Sequence, residues 1–372
     1  MAKKKDINYD LKSAISTAEI AAPNLPYLPQ KPKKYNPPIG IIGCGGISAS
    51  HLGAYKDAGF NIVACCDLIE DRARNRRDTF FPKAEIYTDF REVLARKDIE
   101  VVDLATHPKE RAPLIEASLK AKKHTLSHKP FVIDLDLGLK FGELAKKMGV
   151  KLAINQNGRW APHFSYLRHA VAKGLIGDVL SVHMSVHWNH DWITPTPFND
   201  VKHIMLYDFA IHWFDMLMQL TGGKNANSVY ATETFASGQK SKQQLLAEAM
   251  ITLEGGQATL VFDGFSQFGP WAHVHITGTK GTLHSTGPDI GKGEVTLSTK
   301  QGIAKPHLDG KWFNDGFRGT MGELLCSIEQ KREPITNAFN NVRALEVCFA
   351  AIKSAETGKP QKVGSVRKVK VE

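Results

Sequence analysis

Between residues 39 and 157, short and almost wholly apolar runs recur at regular intervals: IGII (39–42), NIVACCD (61–67), EVVDLAT (100–106), HTLSHKP (124–130) and VKLAINQN (150–157). Each is short and lacks polar alternation, which predicts strands covered on both faces and so a parallel sheet. Helical patterns stand between them: SASHLGAYKDAG (48–59), stopped by Gly59; DFREVLARKD (89–98); ERAPLIEASLKAKK (110–123), with lysines in its last turn; and LDLGLKFGELAKKMG (135–149), stopped by Gly149. The polar stretch EDRARNRRDTFF (70–81) reads as helical at its start. Strands and helices in alternation predict a doubly wound α/β domain.

After about residue 158 the pattern changes. LSVHMSVHW (180–188) sets Leu180, Val182, Met184, Val186 and Trp188 on one face and Ser181, His183, Ser185 and His187 on the other, as a half-buried strand would. Two hairpins follow, AEAMITLEGGQATLVFDGF (247–265), turning at Gly255-Gly256, and WAHVHITGTKGTLHSTG (271–287). DFAIHWFDMLMQLTGG (208–223) reads as a helix stopped by glycines. Long antiparallel strands with a few helices predict a second, α+β domain.

The chain has 372 residues and 42% apolar content, enough for two cores. Its net charge of +10 first suggests nucleic acid, but the charge is concentrated in tails: residues 1–36 carry +4, residues 359–372 carry +4, and the rest +2. A nearly neutral body argues against a nucleic-acid partner. Five prolines from Pro23 to Pro37 exclude a regular helix there. Leu25, Tyr27 and Leu28 are apolar enough to dock this segment on the body or on a neighbouring subunit. The expected organisation is an arm (1–36), a dinucleotide-binding domain (37–158) and a substrate and oligomerisation domain (159–372). Five cysteines, an odd count without C-x-x-C spacing, suit a reducing compartment, here the cytoplasm. No run of about 18 apolar residues calls for a membrane, and the basic N-terminus lacks the apolar run of a secretory signal.

The chemistry starts in GIIGCGGIS. Gly43-x-Gly45-x-x-Ser48 follows a strand and opens a helix, so Gly43 permits the tight turn and Gly45 lets the backbone approach a pyrophosphate. Gly46 and Ile47 carry amides at the helix start that would face the diphosphate. Asp67 ends the second strand, 24 residues after Gly43, where a carboxylate accepts from adenosine ribose hydroxyls. It would repel a 2′-phosphate, which favours NAD over NADP; Arg72, Arg74, Arg76 and Arg77 nearby read as a solvated helix face. Asp208 and His212 lie four apart on a predicted helix, with Asp215 three further on, and histidine is the usual acceptor of a hydroxyl proton at neutral pH. Asn157, Arg159 and Trp160 follow the fifth strand at the domain junction, either lining the substrate side or packing as a linker. Trp188 suits a sugar face or a core. His183, His187, His190 and Asp191 are of ligand type without a full ligand spacing, so no metal is expected.

Taken together, these segments resemble the glucose–fructose oxidoreductase, inositol dehydrogenase and rhizopine catabolism (Gfo/Idh/MocA) family from about Pro38 to Val363. The resemblance rests on IGIIGCGGIS, ATHP (105–108), the Lys-Pro of SHKP (127–130), DFAIHWFD (208–215), ITGTKGTL (276–283) and SAETGKP (354–360). It implies a Rossmann domain joined to a domain on an open, mostly antiparallel sheet, and NAD-dependent oxidation of a hydroxyl on a sugar, cyclitol or related polyol. It further implies Thr106, His107 and His128 beside the cofactor, and a homodimer or homotetramer through the open sheet. Lys129 would hold charge against the developing alkoxide, His212 would take the proton, Asp208 would orient both, and Pro130 would fix the lysine through a cis bond. His128 departs from the glutamate usual at this position. That departure keeps open transient oxidation with retained NAD, leading to elimination, hydrolysis or epimerisation. A catalytically silent dinucleotide-binding regulator is the third reading, opposed by the retained Lys129, Asp208 and His212.

Overall fold

The computed structural model of the protein describes residues 18–287 and 291–371. Six strands form the first sheet: β1 (Ile39–Ile42), β2 (Ile62–Cys66), β3 (Glu85–Tyr87), β4 (Val101–Leu104), β5 (His124–His128) and β6 (Leu152–Asn155), in the order β3-β2-β1-β4-β5-β6. Every neighbouring pair is parallel. The five apolar runs are therefore joined by a sixth strand. β3 is three residues long, sits at the sheet edge and is partly exposed, so it carries no apolar run to be seen in the sequence. The order reverses direction between β1 and β4, the point where ligands of such sheets bind, beyond the strands' carboxyl ends.

The second sheet has nine strands: β7 (Val179–His187), β8 (Ala226–Thr234), β9 (Leu246–Leu253), β10 (Gly256–Asp263), β11 (Trp271–Gly278), β12 (Gly281–Gly287), β13 (Glu294–Thr299), β14 (Gly302–Ala304) and β15 (Gln361–Lys362). Its order is β14-β13-β12-β11-β7-β10-β9-β8-β15, and all pairs are antiparallel except β7 with β10. β9 alternates buried and exposed positions along its length, so one face of the sheet is packed and the other is open. In β7 the alternation holds from Ser181 to His187, but Leu180 is exposed rather than sharing the inner face with Val182; the pairing with β11 slips at Thr277/Gly278 and turns it out.

The division at residue 158 does not hold for the C-terminal segment. The helix Trp312–Glu329 buries Phe317, Met321, Leu324 and Leu325 in one core with Ile39, Ile41, Leu52 and Tyr55 of the first domain. The helix Ala338–Thr357 packs on both β8 and the helix Leu135–Met148, and the final residues bond back to the first domain through Leu135 N–H to Arg367 O (2.8 Å). The two domains are thus tied together by chain that returns after the second sheet.

The described part of the arm lies on the body. At the β14 edge the Ile20 N–H donates to Ile303 O (2.9 Å) and the Ile303 N–H donates to Ala18 O (2.8 Å), Leu25 is buried, and the Tyr166 hydroxyl donates to Pro23 O at 2.9 Å. Further on, the Glu329 carboxylate accepts the amides of Lys33, Lys34 and Tyr35 at 2.7–3.0 Å.

Candidate active site

The glycine loop joins β1 to the helix Ser48–Ala58. Gly43 has φ +97°, and a Cβ there would stand 2.8 Å from the Ala105 carbonyl carbon, so only glycine fits both the backbone and the space. A Cβ at Gly45 or Gly46 would meet nothing within 4 Å, which leaves backbone open beside the helix N-terminus. The Asp67 carboxylate accepts from the amides of Cys44 (2.8 Å) and Ile69 (3.0 Å), so it is oriented at the end of β2. These features fit a dinucleotide: open backbone for the diphosphate and a fixed carboxylate for the ribose diol. Arg76 differs from a solvated side chain. Its guanidinium donates to Ser48 Oγ and to Gly45 O, both at 3.0 Å, and braces the loop from the next helix.

Two further loops meet this edge. Thr106 and His107 follow β4, and the Thr106 hydroxyl is buried without a protein partner. Lys129 follows β5 directly, and the Lys129–Pro130 bond is cis. Arg111, 1% exposed on the helix Pro108–Lys120, donates to both loops, to Thr106 O at 2.7 Å and to Pro130 O. Burial lowers its pKa to about 10, so it stays charged at neutral pH. Arginine at 111 thereby holds the second and third loops in register, a role that its place in a helical pattern gave no sign of.

The Lys129 ammonium meets Asp208, donating to its carboxylate at 3.0 Å and to its backbone carbonyl at 2.8 Å. Asp208 does not stand on a regular helix with His212. Met205–Phe209 forms a π-turn, and the α-helix begins at Ile211. The wider turn carries both the carboxylate and the carbonyl of Asp208 to Lys129. His212 is half-buried; its Nδ1 is sealed off without a partner, and its ring stands edge-on to Trp312 at 5.6 Å. A Cβ on Gly158 would lie 3.7 Å from that Nδ1 and 3.2 Å from Trp312, so the absence of a side chain keeps this corner open. Burial, with the charge of Lys129 added, holds the His212 imidazole well below the usual histidine range. His128 is likewise held neutral, by burial and then by His51, Arg111, Lys129 and His212.

The junction residues have packing work. Arg159, 1% exposed, makes a two-pronged pair with Asp215 at 2.6 Å for both contacts and donates to Ile335 O, which consumes its guanidinium and removes it from any substrate. Asn157 Oδ1 accepts the Trp312 indole N–H at 2.7 Å. Trp160 is buried against Gly319. These three pin the domains and set the position of Trp312 behind His212. Trp188 is half-buried and edge-on to His190 at 4.7 Å. His190 is buried 4.1 Å from the Phe209 ring, near Asp208 and Lys129, and burial pushes its pKa down to about 4. Trp192 and Phe198 extend the aromatic wall from Phe209. His183 and His187 instead lie on the open face of the sheet, bonded to Thr259 and Asp263, while Asp191 accepts the amides of Lys240 and Ser241. Among the described residues, no three ligating side chains converge on a metal position.

Family models for both halves match: "Oxidoreductase family, NAD-binding Rossmann fold" over residues 38–156, and the GFO/IDH/MocA C-terminal domain over 164–284. The chain belongs to the Gfo/Idh/MocA family. As a member it is an NAD-dependent oxidoreductase acting on a CH–OH group. A D-apiose dehydrogenase of Paraburkholderia graminis is 26% identical over 88% of this chain and 89% of its own length. In fold the Gfo/Idh/MocA member is similar to an oxidoreductase from Agrobacterium radiobacter solved with NAD+, L-tartaric acid and magnesium (TM-score 0.80, 19% identity, 89% of this chain and 99% of that one). It is also similar to scyllo-inositol dehydrogenase from Lactobacillus casei with NAD(H) and scyllo-inositol (TM-score 0.75, 20% identity, 89% and 100%). Among the described residues, no helix is long and apolar enough to cross a membrane.

Proposed function

We propose that this enzyme oxidises one hydroxyl of a sugar, cyclitol or related polyol where the loops after β4 and β5 face the Asp208 turn. The observation that carries the reading is the meeting of Lys129 with Asp208, 79 residues away, beside a neutral His212. An ammonium has three N–H donors. Asp208 takes two through its carboxylate and carbonyl, which leaves the third for the substrate oxygen. Lys129 then holds positive charge against the alkoxide as it develops. His212, uncharged in the folded protein, accepts the hydroxyl proton. Asp208 fixes the ammonium, and the aromatic wall of Phe209, Trp192 and Phe198 offers apolar surface to the carbon face of a polyol. Bound NAD supplies the hydride acceptor; Gly43, Gly45, Gly46, Ile47 and Asp67 would hold its diphosphate and ribose, with Thr106, His107 and His128 on the nicotinamide side. His128 is neutral there, so this wall lacks the negative charge that a glutamate would supply.

The names of the apiose and scyllo-inositol dehydrogenases support the substrate class. The open face of the nine-stranded sheet supports a homodimer or homotetramer. Its outward positions on β7–β12 include two carboxylates, Glu248 and Asp263, and no lysine or arginine, with Met250, Tyr230 and Trp271 exposed. Five buried free cysteines suit the cytoplasm. The test is a screen of pentoses, cyclitols and sugar acids with NAD, following NADH absorbance and product masses. The expected result is NADH in step with a product two hydrogens lighter. Turnover without NADH build-up would replace net oxidation by transient oxidation, and binding without any turnover would leave a silent regulator.

A further inference from the structure

Among the described residues, three other than glycine have positive φ: Lys122, His203 and Lys331. Lys122 and Lys331 come just after the helices Pro108–Lys120 and Trp312–Glu329, where a left-handed residue commonly closes a helix. His203, at φ +54°, closes nothing; it stands two residues before the π-turn Met205–Phe209 that carries Asp208. A side chain keeps such a backbone only where its surroundings over-determine it.

Those surroundings are two carboxylates. His203 Nδ1 lies 2.5 Å from the Glu233 carboxylate on β8, and Nε2 lies 3.4 Å from Glu356 in the last turn of the helix Ala338–Thr357. The Glu233 side chain is 3% exposed and its second oxygen is buried without a partner, so His203 is the cation that balances it. The charged groups facing the ring are thus Glu233 from β8 and, from the helix, Glu356 backed by Lys353 at 2.9 Å.

The grip continues into the turn. Tyr207 N–H donates to His203 O and Ala210 N–H to Met205 O, both at 2.7 Å, while Cys348 Sγ donates to Leu206 O at 3.3 Å. Before His203, the Lys202 N–H donates to Val371 O at 2.8 Å. The backbone is therefore held at 202, 203, 206 and 207. Asp208 comes next, with its carboxylate and its carbonyl both on Lys129.

We propose that His203 is a positioning residue for the oxidation: gripped by Glu233 and Glu356, it fixes the start of the π-turn and so the place where Asp208 holds Lys129. His203 acts through Asp208, so this role rests on the reaction proposed above. The grip depends on protonation. Burial lowers the His203 pKa, but contacts with Glu233 and Glu356 outweigh that and raise it. The imidazolium that reaches both carboxylates is present below the ordinary value of 6.5 and is lost as pH rises through the raised one. A neutral ring keeps one N–H, enough for one carboxylate.

The experiment compares His203→Gly with the native full-length protein. Glycine accepts φ +54° without strain, so the variant keeps the backbone and loses the grip. Turnover of the polyol found by the NADH screen should fall about tenfold, as for a small misplacement of a reacting group, with NAD affinity within about twofold. The native-to-variant ratio should be largest near neutral pH and shrink toward alkaline pH, where the native ring has lost its charge; a merely structural residue would leave the ratio flat. Hydrogen–deuterium exchange of residues 204–210, read by mass spectrometry without any substrate, should become roughly tenfold faster. Should His203→Gly not fold, Glu233→Gln carries the same three readouts. Faster exchange supports the grip even if no polyol is oxidised, an outcome that sinks the proposed reaction instead. Unchanged exchange, unchanged turnover or a flat ratio overturns the role of His203.

Discussion

In the parallel sheet, β1 and β4 are buried at all four positions; in the second sheet, β9 buries every other residue and turns Glu248, Met250 and Thr252 outward. The first sheet therefore has no free face, and its chemistry is pushed to the strand ends, where Gly43, Asp67, Thr106 and Lys129 emerge. The second has a free face, and its domain reaches the candidate site through the segment after β7, the π-turn at Met205–Phe209 and the helix that follows, which carries His212. In the proposed function, one sheet would hold the cofactor along its edge, and the other domain would bring a base and a carboxylate to that edge while its sheet keeps a surface to spare. Each prediction below probes one side of that division.

The largest effect is expected at the meeting point. Lys129→Ala removes the charge facing the alkoxide, and loss of one such preorganised donor costs about 10²–10³ in turnover. Steady-state kinetics on the substrate found by the NADH screen should show that drop, with NAD affinity by calorimetry nearly unchanged. Next comes the edge alone. Gly43→Ala places a Cβ against the Ala105 carbonyl at a positive φ; strain of about 1–3 kcal/mol should weaken NAD roughly tenfold and lower the melting temperature. Unaltered NAD binding would mean the loop is not the diphosphate seat. On the second sheet, Met250→Lys adds charge to the open face without touching either core. Light scattering should then show a smaller assembly with turnover per chain retained; an unchanged mass would move the interface elsewhere.

The smallest effect is a pH dependence of stability shared by both regions. His128, His190 and His212 are all held below the ordinary histidine pKa of 6.5 by burial. The unfolded chain takes up these protons first, so stability present above pH 6.5 is lost as pH falls below it, by up to about 1.4 kcal/mol per pH unit for each ring. His203 works the other way: burial lowers it, but contacts with Glu233 and Glu356 outweigh that and raise it. Melting curves from pH 7.5 to 5.5 should therefore shift to lower temperature, and a flat profile would show that these rings are hydrated.

The edge of the parallel sheet was largely legible in the sequence, because each strand is followed at once by the residues that do its work. Spacing alone singled out Gly43 and Asp67 as candidates for the cofactor, and the resemblance to the family added the role expected of Lys129. What spacing could not show was set by distant contacts. Arg111 reads as one more charge on a helix until Thr106 O and Pro130 O are seen to share it. Arg159 reads equally as lining the substrate side or as packing in a linker, and its paired contacts with Asp215 favour the packing role. Asp208 and His212 were paired by the i, i+4 rule of an α-helix, yet a π-turn intervenes and Lys129 sets the position of Asp208. His190 stood in a cluster with His183 and His187, and the end of β7 sends it inward alone.

The central claim is that His212 is the base on which oxidation depends. The most direct measurement compares turnover of His212→Ala with that of the native enzyme on its true polyol, with NAD affinity measured in parallel. General-base catalysis contributes about 10²–10⁴-fold, so turnover should fall by that order while NAD binding stays within about twofold. Near-native turnover by His212→Ala would contradict the account and pass the role of base to His190.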